Sequence, residues 1–270
     1  MCRYAAYLGP PIPLSSLIFK PANSLVHQAT EAMKSPTRIN ADGFGVGWYV
    51  PESPQPAVFK DTSPVWNNRN LGEIADKIFS SSIAAHVRSA KSFDPVTREN
   101  CHPFRRGNLL WMHNGDIPGR ARLTRQVGIE ASDELLAMIR GNTDTEAALT
   151  LFLARLERPF DNPPLEDLAG AMEQTIRQIA GWHRDARDPD PLELNFCLLT
   201  GQAIVATRFA ISERPSPSLY WCSDALGDDH PSVLVASEPL FERGDWHEVS
   251  NGEMLLVSDD LGVEEKRLAA

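Results

Sequence analysis

The chain opens with Met1-Cys2-Arg3-Tyr4-Ala5-Ala6-Tyr7-Leu8, in which residues 4–8 favour a short apolar β-strand. If Met1 is removed, Cys2 carries both a thiol and a free α-amino group. The ordinary pKa of that amine, about 7.7–8.0, suits a general base, and the thiol pKa is about 8.5. One terminal residue can then supply a nucleophile and the base that activates it. The alternative is that the cysteine at position 2 has no function.

The remaining predicted elements follow the order strands, helices, strands. The apolar patterns favour strands at 44–50, 83–87 and 108–113, helices at 132–140, 143–156 and 165–182, and strands at 194–200, 203–209, 219–222, 233–236 and 254–257. Such an order predicts an α+β fold, with helices packed on mainly antiparallel sheets. Turns are predicted at Pro10–Pro13 and at Asn114-Gly115. Because no repeat or clear linker interrupts the chain, we expect a single domain over 1–270, with the motifs in 2–160 and the rest of the same body in 161–270.

Composition excludes several classes of protein. The 270 residues are 42% hydrophobic and 23% charged, which is typical of a globular chain. With 26 basic and 36 acidic side chains the net charge is −10, which argues against nucleic acid or an anionic membrane as the partner. No apolar run approaches the ~18 residues of a membrane span, and prolines interrupt the segment that a signal peptide would need. We therefore expect a cytoplasmic protein.

The sequence predicts neither a metal nor an organic cofactor. The four cysteines form no C-x-x-C pair, and the three beyond Cys2 are expected to be buried free thiols. Several residues could be mistaken for zinc ligands, but their spacing matches no standard pattern: His86, Cys101, His102 and His113. The glycine-rich stretch 40–48 lacks the Lys-Ser/Thr of a phosphate-binding loop and leads into a strand, so a nucleotide site is not predicted there.

Arg88 and Asp144 are candidates for binding opposite charges. The guanidinium of Arg88, at the end of a predicted strand, can bind a carboxylate through two parallel hydrogen bonds. Asp144 lies in the first turn of a helix that Thr143 and Glu146 would open as a capping box, where an anion is favoured and could hold an ammonium group. The structural alternatives are a surface salt bridge for Arg88 and a simple helix start for Asp144.

Asn114 and Gly115 are candidates for stabilising negative charge. An Asn side-chain amide and a Gly backbone N–H that point into one cleft can donate to a developing oxyanion. The alternative is an ordinary hairpin turn, for which Asn-Gly is a common sequence.

Taken in order, these motifs resemble the class II glutamine amidotransferases, which are N-terminal-nucleophile hydrolases. The resemblance rests on Cys2 after Met1, Asn40-Ala41-Asp42-Gly43-Phe44-Gly45, His86-Val87-Arg88, His102-Pro103-Phe104, His113-Asn114-Gly115 and Thr143-Asp144-Thr145-Glu146. The opening Met-Cys-Arg-Tyr and the block 40–49 look most like the stand-alone ergothioneine-pathway amidohydrolases, which act on γ-glutamyl hercynylcysteine sulfoxide. Glutathione-degrading amidotransferase-like proteins look nearly as similar.

The resemblance implies a four-layer αββα sandwich and a role for each candidate residue. Cys2 would be the nucleophile and its α-amine the base, while Asn114 and Gly115 would form the oxyanion hole. Arg88 would bind the α-carboxylate of a small-molecule γ-glutamyl substrate, and Asp144 its α-amino group.

The expected reaction is hydrolysis of a γ-glutamyl amide through a thioester on Cys2, with release of glutamate. Two alternatives stay open: a glutaminase subunit that supplies a separate synthase, and an inert glutamate-binding regulator. Lys91 stands where members with a full glutaminase motif usually have Thr. Either the carboxylate pocket is built differently or Lys91 points outward. Oligomeric state is not predicted.

Overall fold

A computed structural model describes residues 2–35, 38–91, 94–157, 162–224 and 231–269. The strands are β1 (Arg3–Pro13), β2 (Phe44–Val50), β3 (Ser53–Asp61), β4 (Phe79–Val87), β5 (Phe104–Arg106), β6 (Leu109–Asp116), β7 (Leu192–Leu199), β8 (Ile204–Arg208), β9 (Ala210–Ile211), β10 (Tyr220–Ser223), β11 (Val233–Ala236), β12 (His247–Glu248), β13 (Glu253–Val257) and β14 (Val263–Arg267). The helices are α1 (Ser15–Ile18), α2 (Leu25–Glu31), α3 (Arg69–Ile74), α4 (Arg120–Glu130), α5 (Asp133–Leu136), α6 (Asp144–Leu153) and α7 (Leu165–Ala186), with a 3₁₀ helix at Val65–Asn67.

The strands form two antiparallel sheets. The first sheet has the order β12-β10-β11-β1-β4-β2-β3, and the second has the order β14-β13-β8-β7-β6-β5, with β9 beside β7. Helices α1–α3 pack on the outer face of the first sheet, whereas α4, α6 and α7 pack on the outer face of the second. The predicted α+β class and the αββα sandwich of the N-terminal-nucleophile hydrolases are therefore confirmed.

Alternation of side chains along the strands explains the layers. In β1, Tyr4 and Ala6 face the second sheet, whereas Ala5 and Tyr7 face the helices α1–α3. In β6, Met112 faces the first sheet and the fully buried Trp111 packs under α6 and α7. Both faces of each central strand are thus buried, which is why these segments read as continuous apolar runs. The three cysteines beyond Cys2 are buried free thiols, as predicted.

Two predicted turns are wrong. β1 continues through Pro10–Pro13, with a shift of register against β4 between Leu8 and Ile12 that accommodates the prolines. β6 continues through Asn114 and Gly115, because both residues pair with β7. Long-range strand pairing outweighs the local preference of Asn-Gly for a turn.

The start of α6 is predicted only in part. Thr143 caps the helix, and its hydroxyl accepts from Glu146 N at 3.2 Å. Glu146 does not complete the capping box: its carboxylate instead accepts from the backbone N–H groups of Arg140 and Gly141 and from Arg106. Glu146 therefore fixes the loop before α6 rather than the first turn of the helix.

In the described ranges, no helix has both the length and the apolar composition needed to cross a bilayer. The single domain over 1–270 stays a prediction.

Candidate active site

Four of the five predicted site residues line one pocket at the ends of different elements. Cys2 lies immediately before β1, Arg88 follows β4, Gly115 is near the end of β6 and Asp144 opens α6. Since Arg3 pairs with Val87 across β1 and β4, Cys2 and Arg88 lie beside each other. The fifth residue, Asn114, is fully buried next to this pocket and is not among its lining residues.

Backbone contacts on both sides hold Cys2. Its Sγ accepts from Ser89 N at 3.5 Å and is only partly buried, so it is accessible from the pocket. Its carbonyl accepts from Arg3 Nε at 2.6 Å. The side chain of Arg3 is itself fully buried and paired with Glu238 at 3.3 Å. The proposed removal of Met1 concerns a residue outside the described ranges.

The Asn40–Tyr49 block positions Arg88. Arg88 N donates to Gly43 O at 2.8 Å, and Asp42 accepts from Ala90 N at 2.8 Å. Gly43 has φ +105°, and a Cβ there would lie 2.5 Å from Cys101 Sγ, so this close approach requires glycine. The Arg88 guanidinium is buried, and among the described residues it donates one hydrogen bond, to Pro95 O at 3.3 Å. Its remaining N–H groups make it suited to a bound carboxylate.

Asn114 and Gly115 occupy different environments. The Asn114 amide points between the sheets, where Nδ2 donates to Ser237 Oγ at 3.4 Å. The same Ser237 hydroxyl accepts from Tyr4 N at 3.1 Å, which ties Asn114 to the strand that follows Cys2. Gly115 lines the pocket, and a Cβ on it would lie 2.2 Å from Glu193 O. Only glycine fits there without displacing β7.

Asp144 is oriented before any ligand arrives. One carboxylate oxygen accepts from Ile117 N at 2.9 Å and the other from Thr145 N at 2.7 Å. It also stands in the first turn of α6, at the positive end of the helix dipole. A fixed carboxylate of this kind can bind an ammonium group.

Two ion pairs at the pocket involve residues that sequence reasoning did not assign to the site. Lys91 Nζ lies 2.5 Å from Asp116, and Arg120 lies 2.5 Å from Asp94. All four residues line the pocket, so Lys91 lies at the site with its charge directed to Asp116. Burial raises the pKa of Asp116, and the neighbouring Asp144 adds to the rise. Only Lys91 had a sequence signal, its departure from the family pattern.

Three buried histidines link β4 of the first sheet to β6 of the second, and two of them, His102 and His113, also line the pocket. His86 Nε2 lies 3.2 Å from His113 O and must donate to it, because a carbonyl oxygen only accepts. His102 Nδ1 lies 3.0 Å from His86 Nε2 and accepts from His113 N at 3.4 Å. The His86–His102 pair therefore holds both backbone polar groups of the residue before Asn114. We call this arrangement the histidine clamp.

Because of the histidine clamp, we expect the free energy of unfolding to fall in mild acid. Burial lowers the pKa of His86 to about 3, and burial together with His86 lowers the pKa of His102 well below its ordinary value. These imidazoles stay neutral in the folded state but titrate near 6.5 when unfolded, so their stabilisation is complete above pH 6.5 and falls as the pH drops towards 3. Between pH 6.5 and 5.5 the free energy of unfolding is expected to fall by about 1 kcal/mol for each histidine.

Urea unfolding across that interval measures this effect. Replacement His86→Gln keeps a donor near the Nε2 position and removes one titrating group, so the decrease should become smaller by about 1 kcal/mol. The exposed His247, changed to Gln, is the matched control and should leave the contribution of the clamp to the slope unchanged. If the free energy of unfolding fell equally with pH in His86→Gln and in the unmodified chain, His86 would not be the neutral buried group that the clamp requires.

Comparisons with known proteins agree with this geometry. A family model described as glutamine amidotransferases class-II matches residues 20–208. The probable glutamine amidotransferase DUG3 of Saccharomyces cerevisiae is 34% identical over 95% of this chain and 82% of its own length. The γ-glutamyl-hercynylcysteine sulfoxide hydrolase of Mycolicibacterium smegmatis is 31% identical over 96% of both chains. A solved structure, a glutamine aminotransferase class-II domain protein from Silicibacter pomeroyi, has a TM-score of 0.72 and 28% identity over 100% of both chains.

The match to the family model covers well over half of the chain, and the fold and the order of the motifs fit it. The chain therefore belongs to the class II glutamine amidotransferases and is an amidohydrolase of γ-glutamyl amide bonds.

Proposed function

We propose that the reaction proceeds through a γ-glutamyl thioester on Cys2. With Met1 removed, the α-amine takes the thiol proton and Sγ attacks the γ-carbonyl carbon, giving a tetrahedral oxyanion. The C–N bond then breaks as the leaving amine takes up the proton. Water attacks the thioester, releases glutamate and restores the thiol. No metal or organic cofactor is required by this sequence of steps.

This proposal is supported by three groups that line one pocket: a thiol, a buried guanidinium and an oriented carboxylate. A γ-glutamyl group carries one carboxylate, which would bind Arg88, and one ammonium, which would bind Asp144. Gly115 N–H and the Asn114 amide would stabilise the oxyanion. In the structure the Asn114 amide donates to Ser237 Oγ through a long hydrogen bond. That hydrogen bond would be replaced by one from the amide to the oxyanion.

For the substrate we propose the γ-glutamyl amide of a cysteine-derived amine, with γ-glutamyl hercynylcysteine sulfoxide as the preferred member. The M. smegmatis relative, whose name gives that substrate, supports this choice through 31% identity across nearly the whole chain. Glutathione is the second candidate, because it contains the same γ-glutamyl-cysteine bond. The resemblance of the motifs to glutathione-degrading amidotransferase-like proteins keeps that candidate open.

Glutamate release from a panel of three compounds tests the substrate. The purified chain is assayed with γ-glutamyl hercynylcysteine sulfoxide, glutathione and glutamine, and mass spectrometry first establishes that Met1 is absent. We expect the sulfoxide to give the highest kcat/KM. A higher value for glutathione would reassign the substrate. Release from none of them would favour a subunit that needs a synthase partner, or an inert glutamate binder.

Arg88→Met should weaken substrate binding, because the charged hydrogen bonds to the substrate carboxylate are lost. Such bonds contribute about 1.5–3 kcal/mol each, so kcat/KM should fall at least about tenfold, mainly through KM. Arg120→Met, at the edge of the same pocket, is the matched control and should change KM less. An unaltered KM in Arg88→Met would remove Arg88 from the proposed carboxylate site.

A further inference from the structure

A second and larger cavity lies on the side of the sandwich where β3 and β5 form the sheet edges. This cleft has a volume of about 600 Å³. Its cationic lining residues come from three separate segments of the chain: Lys60, Arg98, Arg105, Arg106 and Arg140. We call it the basic cleft.

The basic cleft is separate from the pocket of Cys2. No residue lines both cavities. Between them, Asn100 and Asn142 exchange two hydrogen bonds, Nδ2 of Asn100 to Oδ1 of Asn142 at 2.9 Å and Asn142 N to Oδ1 of Asn100 at 3.1 Å. A ligand of the basic cleft would therefore contact none of the residues proposed to hold the γ-glutamyl group.

Positive charge in the cleft exceeds the negative charge that faces it. Two acidic residues line it, Glu99 and Glu146, and Glu146 is already engaged by Arg106 at 2.6 Å and by two backbone N–H groups. Within the described ranges, Arg98 and Arg140 have no ion pair. Such a surplus is unexpected in a chain with a net charge of −10.

Lys60 places a further donor group in the cleft. Its Nζ donates to Cys101 O at 2.7 Å and lies 5.1 Å from the centre of the Phe104 ring. Burial lowers the pKa of this amine to about 8, so a bound anion would stabilise its charged form. An ammonium keeps two donor positions beyond its bond to Cys101.

We propose that the basic cleft binds a small molecule that carries at least two phosphate groups. Guanidinium forks match phosphate in a bidentate manner, and a lysine adds a point charge. Several cations around one cavity exceed what a single carboxylate would neutralise. The volume lies within the 300–1,000 Å³ of small-molecule sites.

Calorimetric titration of the full chain with inorganic pyrophosphate tests the proposal. We expect saturable binding at one site for each chain, and at least tenfold weaker binding in Arg98→Glu/Arg140→Glu. Both arginines are exposed, so the fold should persist. Arg125→Glu/Arg184→Glu has the same net charge and changes exposed arginines on α4 and α7, so it should bind as the unmodified chain does. Cys2→Ala should also bind normally, because the cleft excludes Cys2.

Three results would overturn the proposal. One is the absence of saturable pyrophosphate binding to the unmodified chain. A second is an equal loss in the two double variants, which would indicate a general effect of charge. The third is tighter binding of citrate than of pyrophosphate, which would assign the cleft to carboxylates. None of these results bears on hydrolysis at Cys2, so the two proposals can fail separately.

Discussion

Replacement of Cys2 by alanine is expected to lower kcat for γ-glutamyl amide hydrolysis by at least about 10⁴-fold, as loss of a nucleophile does in other covalent enzymes. The reason is chemical: without Sγ no thioester can form, and bound water must attack the amide directly. Arg88 and Asp144 are left intact, so the variant should still bind the glutamyl group. Glutamate release measures the loss, and intact-protein mass spectrometry with substrate should find the acyl adduct on the unmodified chain alone.

Cys222→Ala is the matched control, because it removes another thiol that lies outside the pocket. Circular dichroism checks that both variants fold. Substantial hydrolysis by folded Cys2→Ala would refute the assignment of Cys2 as the nucleophile. Loss in both variants would point to a defect in folding rather than in catalysis.

Local sequence patterns predict elements with a strong apolar pattern better than elements with a weak one. The apolar run of β2 was predicted over 44–50 as the structure has it, since strong β formers with alternating glycines leave little choice. Helix α4 was missed because its two buried residues, Leu123 and Val127, stand among charged and polar neighbours. Such a weak apolar stripe becomes a helix only where tertiary packing supplies the stabilisation.

The site shows the same limit. Cys2, Arg88 and Asp144 could be selected by residue type and order, but their proximity depends on the pairing of β1 with β4 and on the docking of α6. No local pattern encodes those contacts. The sequence places His86 and His102 in two of the family motifs and in no standard zinc pattern, but it does not reveal that one ring contacts the other.

The buried pair of Arg3 and Glu238 is expected to control both the stability of the fold and the position of Cys2. Both side chains are fully buried, and burial lowers the pKa of Arg3 while Glu238 opposes that change. The Glu238 carboxylate also accepts from the backbone N–H groups of Met33 and Lys34. Glu238→Leu would leave a buried guanidinium without its counter-charge, and we expect the free energy of unfolding to fall by about 3–5 kcal/mol.

Urea unfolding measures that loss, and two further variants identify its cause. Arg3→Met/Glu238→Leu removes both charges and should recover part of the stability, because the unpaired charge is the main penalty. Glu248→Leu breaks the more exposed pair with Arg208 and should cost about 1 kcal/mol or less. Because Arg3 Nε also holds the Cys2 carbonyl, Glu238→Leu should lower kcat even where the protein stays folded. A cost below about 1 kcal/mol in Glu238→Leu would show that the pair contributes little, and normal activity would separate it from the placement of Cys2.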